Sequence, residues 1–360
     1  MENKSTTNAP SKSLNKENST SNYNFFSFVI LLVLCIQNAG HALMTRYSRG
    51  ILKESYDSTE VVICSEITKL IVSTILYLNE PGDKDNLTTT QNKSCLKKLT
   101  SLLFSSINIL VLVVIYAINN LLIYFALGRI DTATFTVIAQ LKILTTAIFS
   151  VIILGKTINS TRWRALILLV VACILVASPR YGCEEEQRRI LGVVAEEEGG
   201  NDKIYYFHET TVGLGAVVLM TLITGFAAVY FESILKNKQS YTSLSIWARN
   251  VQLAFFSCVL LLAYLGMNRM QMSSDEAYVP FKGWTINTIL VLLFQSGGGI
   301  LVALALKYTD AVLKVLATSG AIVLSSLLDA WLFKTSLGNS TMLGAISAII
   351  AIFNYSFAEN

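Results

Sequence analysis

The stretch TATFTVIAQLKILTTAIFSVIIL, residues 132–154, decides the fold class of this chain. It is long enough to cross a bilayer, and Lys142 is its only charge. Lys142 follows Asp131 by 11 residues, which places it roughly 16 Å along a helix, near the middle of a ~30 Å hydrocarbon layer. An ammonium group at that depth costs a few kcal/mol. Lys142 therefore either pairs with a carboxylate for structural reasons or lines a substrate path, and we favour the substrate path.

The composition indicates a polytopic membrane protein. Of the 360 residues, 53% are hydrophobic and 14% are charged, against about 25% charged in soluble domains. The net charge of +4 lies mostly at the ends of apolar segments, so a nucleic-acid surface is not expected. The six cysteines have no CxxC spacing and the two histidines form no HExxH motif, so we expect no metal site and no cofactor.

Residues 1–24 are polar and rich in Ser, Asn and Lys, which predicts a disordered tail. The sequence lacks the short basic region and cleavage site of a signal peptide, so the apolar run that starts at Phe25 is expected to remain as a membrane anchor.

Ten apolar runs predict ten transmembrane helices. They lie at about 25–45, 61–78, 105–127, 132–154, 163–178, 212–231, 244–266, 285–306, 311–333 and 342–357. Between the fifth and sixth runs, residues 179–211 carry two acidic clusters and a glycine pair, a composition typical of a solvated linker.

The two halves of the chain resemble each other. Ala126-Leu127 precedes Asp131 and a long apolar run, and Ala305-Leu306 precedes Asp310 and another, with an offset of 179 residues. Five spans per repeat is an odd number, so the second copy must enter the membrane inverted. The predicted fold is therefore all-α, with ten transmembrane helices in two inverted five-helix repeats, residues 25–178 and 212–357. The Lys/Arg distribution does not decide the orientation.

Several polar groups within the spans each allow two interpretations. Lys314, one turn after Asp310, either extends to the membrane surface or faces a cavity. Glu66 and Lys69 are spaced for a local ion pair, which serves structure or function equally well. Asn119 and Asn120 could join helices or bind a polar ligand.

Two further features also have alternative interpretations. Glu232 and Arg249 lie at span ends, where anchoring at the membrane interface is the default. Gly297-Gly298-Gly299 either permits close helix packing or breaks the helix and exposes amides to a phosphate, and packing is favoured. Together the lysines, amides, aromatic rings and hydroxyls suit a ligand that has a flat ring, sugar hydroxyls and phosphate.

Six motifs resemble those of the nucleotide-sugar transporters, in the branch for CMP-sialic acid, UDP-galactose and UDP-N-acetylglucosamine within the drug/metabolite transporter superfamily. They are RYSR (46–49), YAINN (116–120), AQLKILTTA (139–147), GFAAVYFE (225–232), WARNVQ (247–252) and KYTD (307–310), the last followed by Lys314. The resemblance implies ten helices in two inverted repeats. It also implies exchange of a cytosolic nucleotide sugar for a nucleoside monophosphate from the lumen of the Golgi or endoplasmic reticulum.

The resemblance also implies roles for individual residues. Lys142 and Lys314 would contact phosphate, and Tyr116, Asn120 and Asn250 would contact base and ribose. Phe135 would stack on the base where the family usually has Tyr. Tyr230 and Glu232 match the end of the sixth helix, and Tyr230 would contact the substrate there. Glu66 and Lys69 match a charged pair on the second helix. Asp131, Asp310 and Glu232 are expected at a gate or interface.

The chain departs from the family pattern at four positions, Thr136, Ala139, Ala311 and Val315, which leaves the substrate open. KILTTA and RYSR resemble the UDP-sugar transporters more than the CMP-sialic acid transporter. We therefore expect a Golgi antiporter that imports UDP-galactose or UDP-N-acetylglucosamine in exchange for UMP, with the endoplasmic reticulum as an alternative location. Expected partners are the nucleotides and the bilayer, together with a second copy or a glycosyltransferase.

Three other functions were weighed. The departures permit another nucleotide sugar or a phosphorylated organic anion. A membrane-embedded glycosyltransferase would need paired carboxylates or a metal motif, and the acidic segment 179–211 lacks that spacing. A scaffold that does not transport would tolerate loss of the two lysines, yet both are present.

Overall fold

The computed structural model describes residues 11–80, 102, 107–130, 132–177, 200–236, 244–271, 279–334 and 338–358. Within these ranges the chain is helical and has no strand. The helices are α1 (Ser11–Thr45), α2 (Ser58–Leu78), α3 (Ile107–Leu127), α4 (Thr132–Ala139), α5 (Lys142–Leu154), α6 (Ser160–Ala177), α7 (Gly200–Lys236), α8 (Ile246–Gln271), α9 (Ile286–Tyr308), α10 (Ala311–Phe333) and α11 (Asn339–Phe357). A π-helical turn, Arg46–Ile51, continues α1.

Nine segments of the described chain are long and apolar enough to cross a membrane, with α4 and α5 together forming one of them. This confirms a polytopic membrane protein. The fifth predicted span corresponds to α6, an 18-residue helix outside those nine. Large apolar side chains such as Ile71, Ile152 and Phe353 are more than half exposed on the outside of the bundle, as expected for a surface that faces lipid.

Two helices extend into segments that composition assigns to flanking regions. Helix α1 begins at Ser11, so residues 11–24 of the predicted disordered tail are helical in the structure. Helix α7 begins at Gly200, within the segment 179–211 predicted as a linker. Residues 1–10 and 178–199 lie outside the described ranges.

Side-chain caps fix where several helices start and stop. The carboxylate of Asp57 accepts the Thr59 N–H at the start of α2, and the side chain of Thr285 forms a capping box at the start of α9. Asp310 caps α10 by accepting the Leu313 N–H at 2.7 Å. Helix α5 ends at Gly155, whose φ of +64° is a left-handed conformation that glycine adopts without strain.

The helices pack in a pattern that relates the two halves. Helix α1 packs against α9 and α10, and α7 packs against α3 and against the span formed by α4 and α5. Helix α2 packs against α9, and α8 packs against α3. The remaining main pairs are α2 with α8, α5 with α10, and α6 with α11. With α4 and α5 counted as one span, exchanging the spans at equal places in the two halves turns each of the first pairs into another observed pair and leaves the last three pairs unchanged.

Candidate functional site

A cavity of about 360 Å³ lies between α1, α5, α7 and α10. Its polar lining consists of two lysines, one histidine, one amide and four hydroxyl groups. These residues are Asn38, His41, Lys142, Thr146, Thr224, Lys314, Thr318 and Ser325. No carboxylate lies among the described residues that line it. The cavity therefore offers positive charge and hydrogen-bonding groups to an anionic ligand.

Lys142 enters the cavity because the fourth predicted span is broken directly before it. The sequence predicts one continuous helix over 132–154, but α4 ends at Ala139 and α5 begins at Lys142. In between, the Gln140 and Leu141 N–H groups bond the carbonyls three residues earlier, at 3.1 and 2.9 Å. The Gln140 amide also donates to the Thr136 carbonyl at 3.1 Å. This tightened turn makes Lys142 the first residue of α5.

Lys314 enters the same cavity from the first turn of α10, so the interpretation that it extends to the membrane surface does not apply in this structure. Both cavity lysines therefore lie at the amino-terminal ends of helices, where the helix dipole adds partial positive charge. The described residues supply no carboxylate within ion-pair distance of either lysine. A negatively charged ligand between these two helix ends would be stabilised by both ammonium groups and both helix dipoles.

Helix α5 is held against α7 beside Lys142. The Thr145 hydroxyl donates to the Thr221 carbonyl at 2.9 Å, and Thr146 donates to the Lys142 carbonyl at 2.7 Å. The backbone of Thr145 approaches Gly225 so closely that a Cβ there would lie 2.9 Å from the Thr145 carbonyl carbon. The motif GFAAVYFE therefore begins with a residue whose small size sets the position of α5.

Tyr116 and Tyr230, two predicted nucleotide contacts, lie near the cavity but do not line it. Both pack against one apolar cluster of α3, α7 and α9, and Ala228 belongs both to this cluster and to the cavity lining. The Tyr230 ring also stacks on Phe226, with 5.7 Å between centroids. Their predicted roles stay predictions.

The other three predicted nucleotide contacts also lie outside the cavity lining. Asn120 is exposed, whereas its neighbour Asn119 accepts a hydrogen bond from Thr224 at 2.9 Å and so joins α3 to α7. Asn250 is buried, and its amide nitrogen has no partner among the described residues. Phe135 packs against an apolar cluster of α3 and α7. No contact in the structure tests a role for any of the three in binding.

Glu66 and Lys69 form the expected local ion pair at 2.6 Å on α2. Helix α9 continues through its three glycines without a break, so it does not expose free amides there. Gly298 lies against the Gln37 amide, and Gly299 lies against the stem of Lys69, whereas a Cβ at Gly297 would have no neighbour within 4 Å. Gly298 and Gly299 therefore make room for polar side chains of α1 and α2.

Glu232 lies at the centre of an ionic cluster at the end of α7, and it is fully buried. It accepts from Lys156 at 2.8 Å, from Lys236 at 2.7 Å and from the Ala311 N–H at 2.8 Å. Lys156 also lies 3.6 Å from Asp310. This cluster joins α7, the end of α5 and the start of α10, one turn from Lys314. Asp131, the third expected gate residue, lies outside the described residues.

Asn38, His41 and Thr224 line the cavity, although no motif in the sequence pointed to them. Each is a polar residue inside an apolar run, which was the only signal in the sequence. The described residues include no group of three or more His, Cys, Asp or Glu that could hold a metal.

Comparisons of the sequence with known proteins identify the family. The model of the nucleotide-sugar transporter family matches residues 22–356. A UDP-N-acetylglucosamine/UDP-N-acetylgalactosamine transporter of Caenorhabditis elegans is 36% identical over 95% of this chain and 96% of its own length. The UDP-galactose translocator of Mus musculus is 33% identical over 96% of this chain and 82% of its length. The UDP-N-acetylglucosamine transporter of Rattus norvegicus is 31% identical over 92% and 95%.

The fold also occurs in a protein of known crystal structure. That protein superposes with a TM-score of 0.58 at 13% identity, over 92% of this chain and 96% of the other. The similarity is to the fold alone. Together with the family match over nearly the whole length, these comparisons show that this chain is a multi-pass membrane transporter, not an enzyme, and belongs to the nucleotide-sugar transporter family.

Proposed function

We propose that this protein imports UDP-galactose or UDP-N-acetylglucosamine into the Golgi lumen in exchange for UMP. The observation that carries the proposal is the pair Lys142 and Lys314, which enter one cavity from two helices. A diphosphate between them would supply the negative charge that no described residue places within ion-pair distance, and the surrounding hydroxyls suit ribose or a hexose. The relatives named for UDP-galactose and UDP-N-acetylglucosamine support these two substrates.

Alternating access requires an arrangement that can expose one site to either side. We propose that the two five-helix halves are inverted repeats, and the exchange symmetry of the helix pairs supports this. The cavity lies among two helices of each half: α1 and α5 of the first, α7 and α10 of the second. In this scheme the cluster around Glu232, with Asp310 and Lys156, is a gate that joins the halves on one side of the cavity.

We propose that five residues contact the base and ribose of the nucleotide: Tyr116, Asn120, Phe135, Tyr230 and Asn250. The positions of Tyr116 and Tyr230 beside Ala228 support a nucleotide subsite on the α3 and α7 side of the lysines. We propose a Golgi location, with the endoplasmic reticulum as the alternative, and the motif resemblance supports it. The resemblance also suggests a second copy or a glycosyltransferase as partner.

Uptake into proteoliposomes tests the proposal. Purified protein is reconstituted, and labelled UDP-galactose, UDP-N-acetylglucosamine, CMP-sialic acid and a phosphorylated metabolite are compared. We expect uptake of at least one UDP-sugar, and preloaded UMP should accelerate it several-fold more than CMP does. Alanine variants of Lys142 and Lys314 should lose this uptake. Lys307→Ala is their matched control and should keep it, because Lys307 lies over the Tyr308 ring at the end of α9 and outside the cavity lining.

Other results would contradict the proposal in distinct ways. Uptake restricted to CMP-sialic acid or to the phosphorylated metabolite would reject the UDP-sugar assignment. Uptake of a UDP-sugar that no preloaded nucleotide accelerates would reject exchange.

A further inference from the structure

The cavity has a polar wall on α1 that neither the family resemblance nor the comparisons assign to any part of a ligand. Asn38 and His41 are three residues apart and therefore lie on one face of α1. Both line the cavity that contains Lys142 and Lys314. The neighbouring Gln37 is directed away from it, since its amide donates to the Phe294 carbonyl of α9 at 2.7 Å. Packing against α9 thus fixes which face of α1 the cavity meets.

Two groups on this wall can form further hydrogen bonds, the Asn38 amide oxygen and the His41 ring. The Asn38 nitrogen donates to the Leu34 carbonyl at 2.8 Å, so the amide oxygen is the group left to accept a hydrogen bond from a ligand. Within the described part of the chain, the His41 ring has no hydrogen-bond or ion-pair partner. A neutral imidazole has one donor and one acceptor nitrogen, which matches a hydroxyl group in both roles.

The register between α1 and α10 gives the position of this wall. Ser27 of α1 donates at 3.0 Å to the carbonyl of Tyr308, the last residue of α9 and three residues before α10 begins, and Arg46, in the turn that continues α1, forms an ion pair with Asp329 near the far end of α10. The two helices therefore run parallel with an offset of 281 to 283 residues. This offset places His41 beside residues 322–324 of α10, next to Ser325 in the lining. That level is 8 to 10 residues past Lys314, about 12–15 Å along the helix.

A ligand that contacts both Lys314 and His41 needs a phosphate and a second polar group some distance from it. A nucleotide sugar has two such groups, the nucleoside on one side of the diphosphate and the sugar on the other. The proposed nucleotide contacts lie on α3, α4, α7 and α8, and the Thr224–Asn119 hydrogen bond places α3 behind the α7 wall. Helix α1 forms a different wall of the cavity, and its main packing partners are α9 and α10.

We infer that His41, with Asn38 and Ser325, forms the subsite that binds the sugar of the nucleotide sugar. This inference rests on the proposed function and deepens it. The imidazole and the amide oxygen hydrogen-bond sugar hydroxyls or an N-acetyl group, while the two lysines hold the diphosphate. His41 is then a specificity-determining residue: its loss weakens binding of the nucleotide sugar but not of UMP, which keeps the ribose but lacks the hexose beyond the diphosphate.

Competition binding to the reconstituted full-length chain tests this. His41→Leu replaces the imidazole by an apolar side chain of similar length and so removes both nitrogens. We expect its apparent Kd for the preferred UDP-sugar to rise about 3- to 10-fold, the loss expected for one net hydrogen bond. Its apparent Kd for UMP should stay within 2-fold. His41→Gln restores a donor and an acceptor and should recover part of the UDP-sugar affinity. Ile36→Ala, on the lipid-facing side of α1, should change neither value.

Distinct outcomes separate failure of this inference from failure of the proposed function. A wild-type protein that binds neither UDP-sugars nor UMP would reject the function itself. With an active wild type, equal weakening of UDP-sugar and UMP by His41→Leu would overturn the sugar subsite, as would unchanged binding of both. If His41→Leu does not fold, Ser325→Ala at the same level decides, because it should show the same selective weakening of the UDP-sugar.

Discussion

Replacing Glu232 with Gln tests whether the ionic cluster at the end of α7 is a gate. The substitution keeps the shape of the side chain and removes its charge. Glu232 is fully buried and accepts three hydrogen bonds, from the Lys156 and Lys236 ammonium groups and from the Ala311 N–H. If the amide oxygen keeps the Ala311 N–H, the amide nitrogen faces two ammonium groups and cannot accept from either.

The size of the effect follows from the exposure of the partners. Lys156 and Lys236 are 29% and 37% exposed, so each ion pair is worth about 1 kcal/mol rather than the 3 kcal/mol of a fully buried pair. The new amide N–H group would face the two ammonium groups with no acceptor between them, which adds about 1 kcal/mol to the loss. We therefore expect the closed gate to lose about 3 kcal/mol, which shifts the ratio of closed to open forms by about 100-fold.

Labelling of a cysteine behind the gate measures this shift. Val315 is buried, lines the cavity and lies five residues after Asp310. In a background without native cysteines, V315C should react with a hydrophilic thiol reagent many times faster when Glu232→Gln is added. Glu60→Gln is the matched control, because Glu60 is another buried carboxylate, accepting from Trp284 at 3.1 Å near the opposite end of α9.

Two results would refute this reasoning. If Glu232→Gln lowers thermal stability but leaves labelling of V315C unchanged, the cluster stabilises the fold and does not gate the cavity. If Glu60→Gln accelerates labelling equally, the effect reflects general loosening of the bundle.

Three further predictions follow from other contacts. Lys142→Ala should reduce transport at least 10-fold at normal membrane insertion, because a charge-assisted hydrogen bond to phosphate is worth about 1.5–3 kcal/mol; wild-type uptake would remove Lys142 from the site. Gly225→Ala should lower thermal stability by about 1–3 kcal/mol and impair transport, because its Cβ would lie 2.6 Å from the Thr145 hydroxyl, whereas Gly215→Ala, with nothing within 4 Å, should do neither. Desolvation raises the pKa of Glu54, but four side-chain hydrogen bonds lower it by more, to below its ordinary value of 4.5. The ionised Glu54 carboxylate therefore stabilises the fold fully above pH 4.5, and this stabilisation is lost as the pH falls further. The Tm of the wild type should accordingly drop more steeply below pH 4.5 than that of Glu54→Gln. Parallel curves of Tm against pH would contradict this.

The cavity location of Lys314 was implied only by the family resemblance, because its place one turn into the span fitted the membrane surface equally well. The sequence itself predicted the membrane class, most helix positions and the interior location of Lys142. These features depend on local rules: apolar runs must be long enough to span a bilayer, and a charge in mid-span must face the protein interior. The ion pair of Glu66 with Lys69 was likewise predicted from spacing on one helix, and the structure confirms it.

Features that depend on contacts between distant helices could not be predicted in the same way. The break before Lys142 involves neither proline nor glycine, so composition gave no signal for it. In the sequence, His41 contributed only to the argument against a metal site. Its place in the cavity could not be predicted, because it follows from the register of α1 against α10. Glu232 was expected at an interface, but its burial arises from three donors that lie far apart in the sequence.

The parallel pairing of α1 with α10 has a consequence for the transport cycle. Arg46 ties one end of α1 to Asp329 of α10, and Ser27 ties the other end to Tyr308, the last residue of α9 beside the start of α10, so we expect α1 and α10 to move together as one unit. Lys314 and His41 both belong to this unit. If the protein alternates access as proposed, we expect the distance between them to change little between the two orientations of the cavity, so that a ligand of matching length is selected equally on entry and on release.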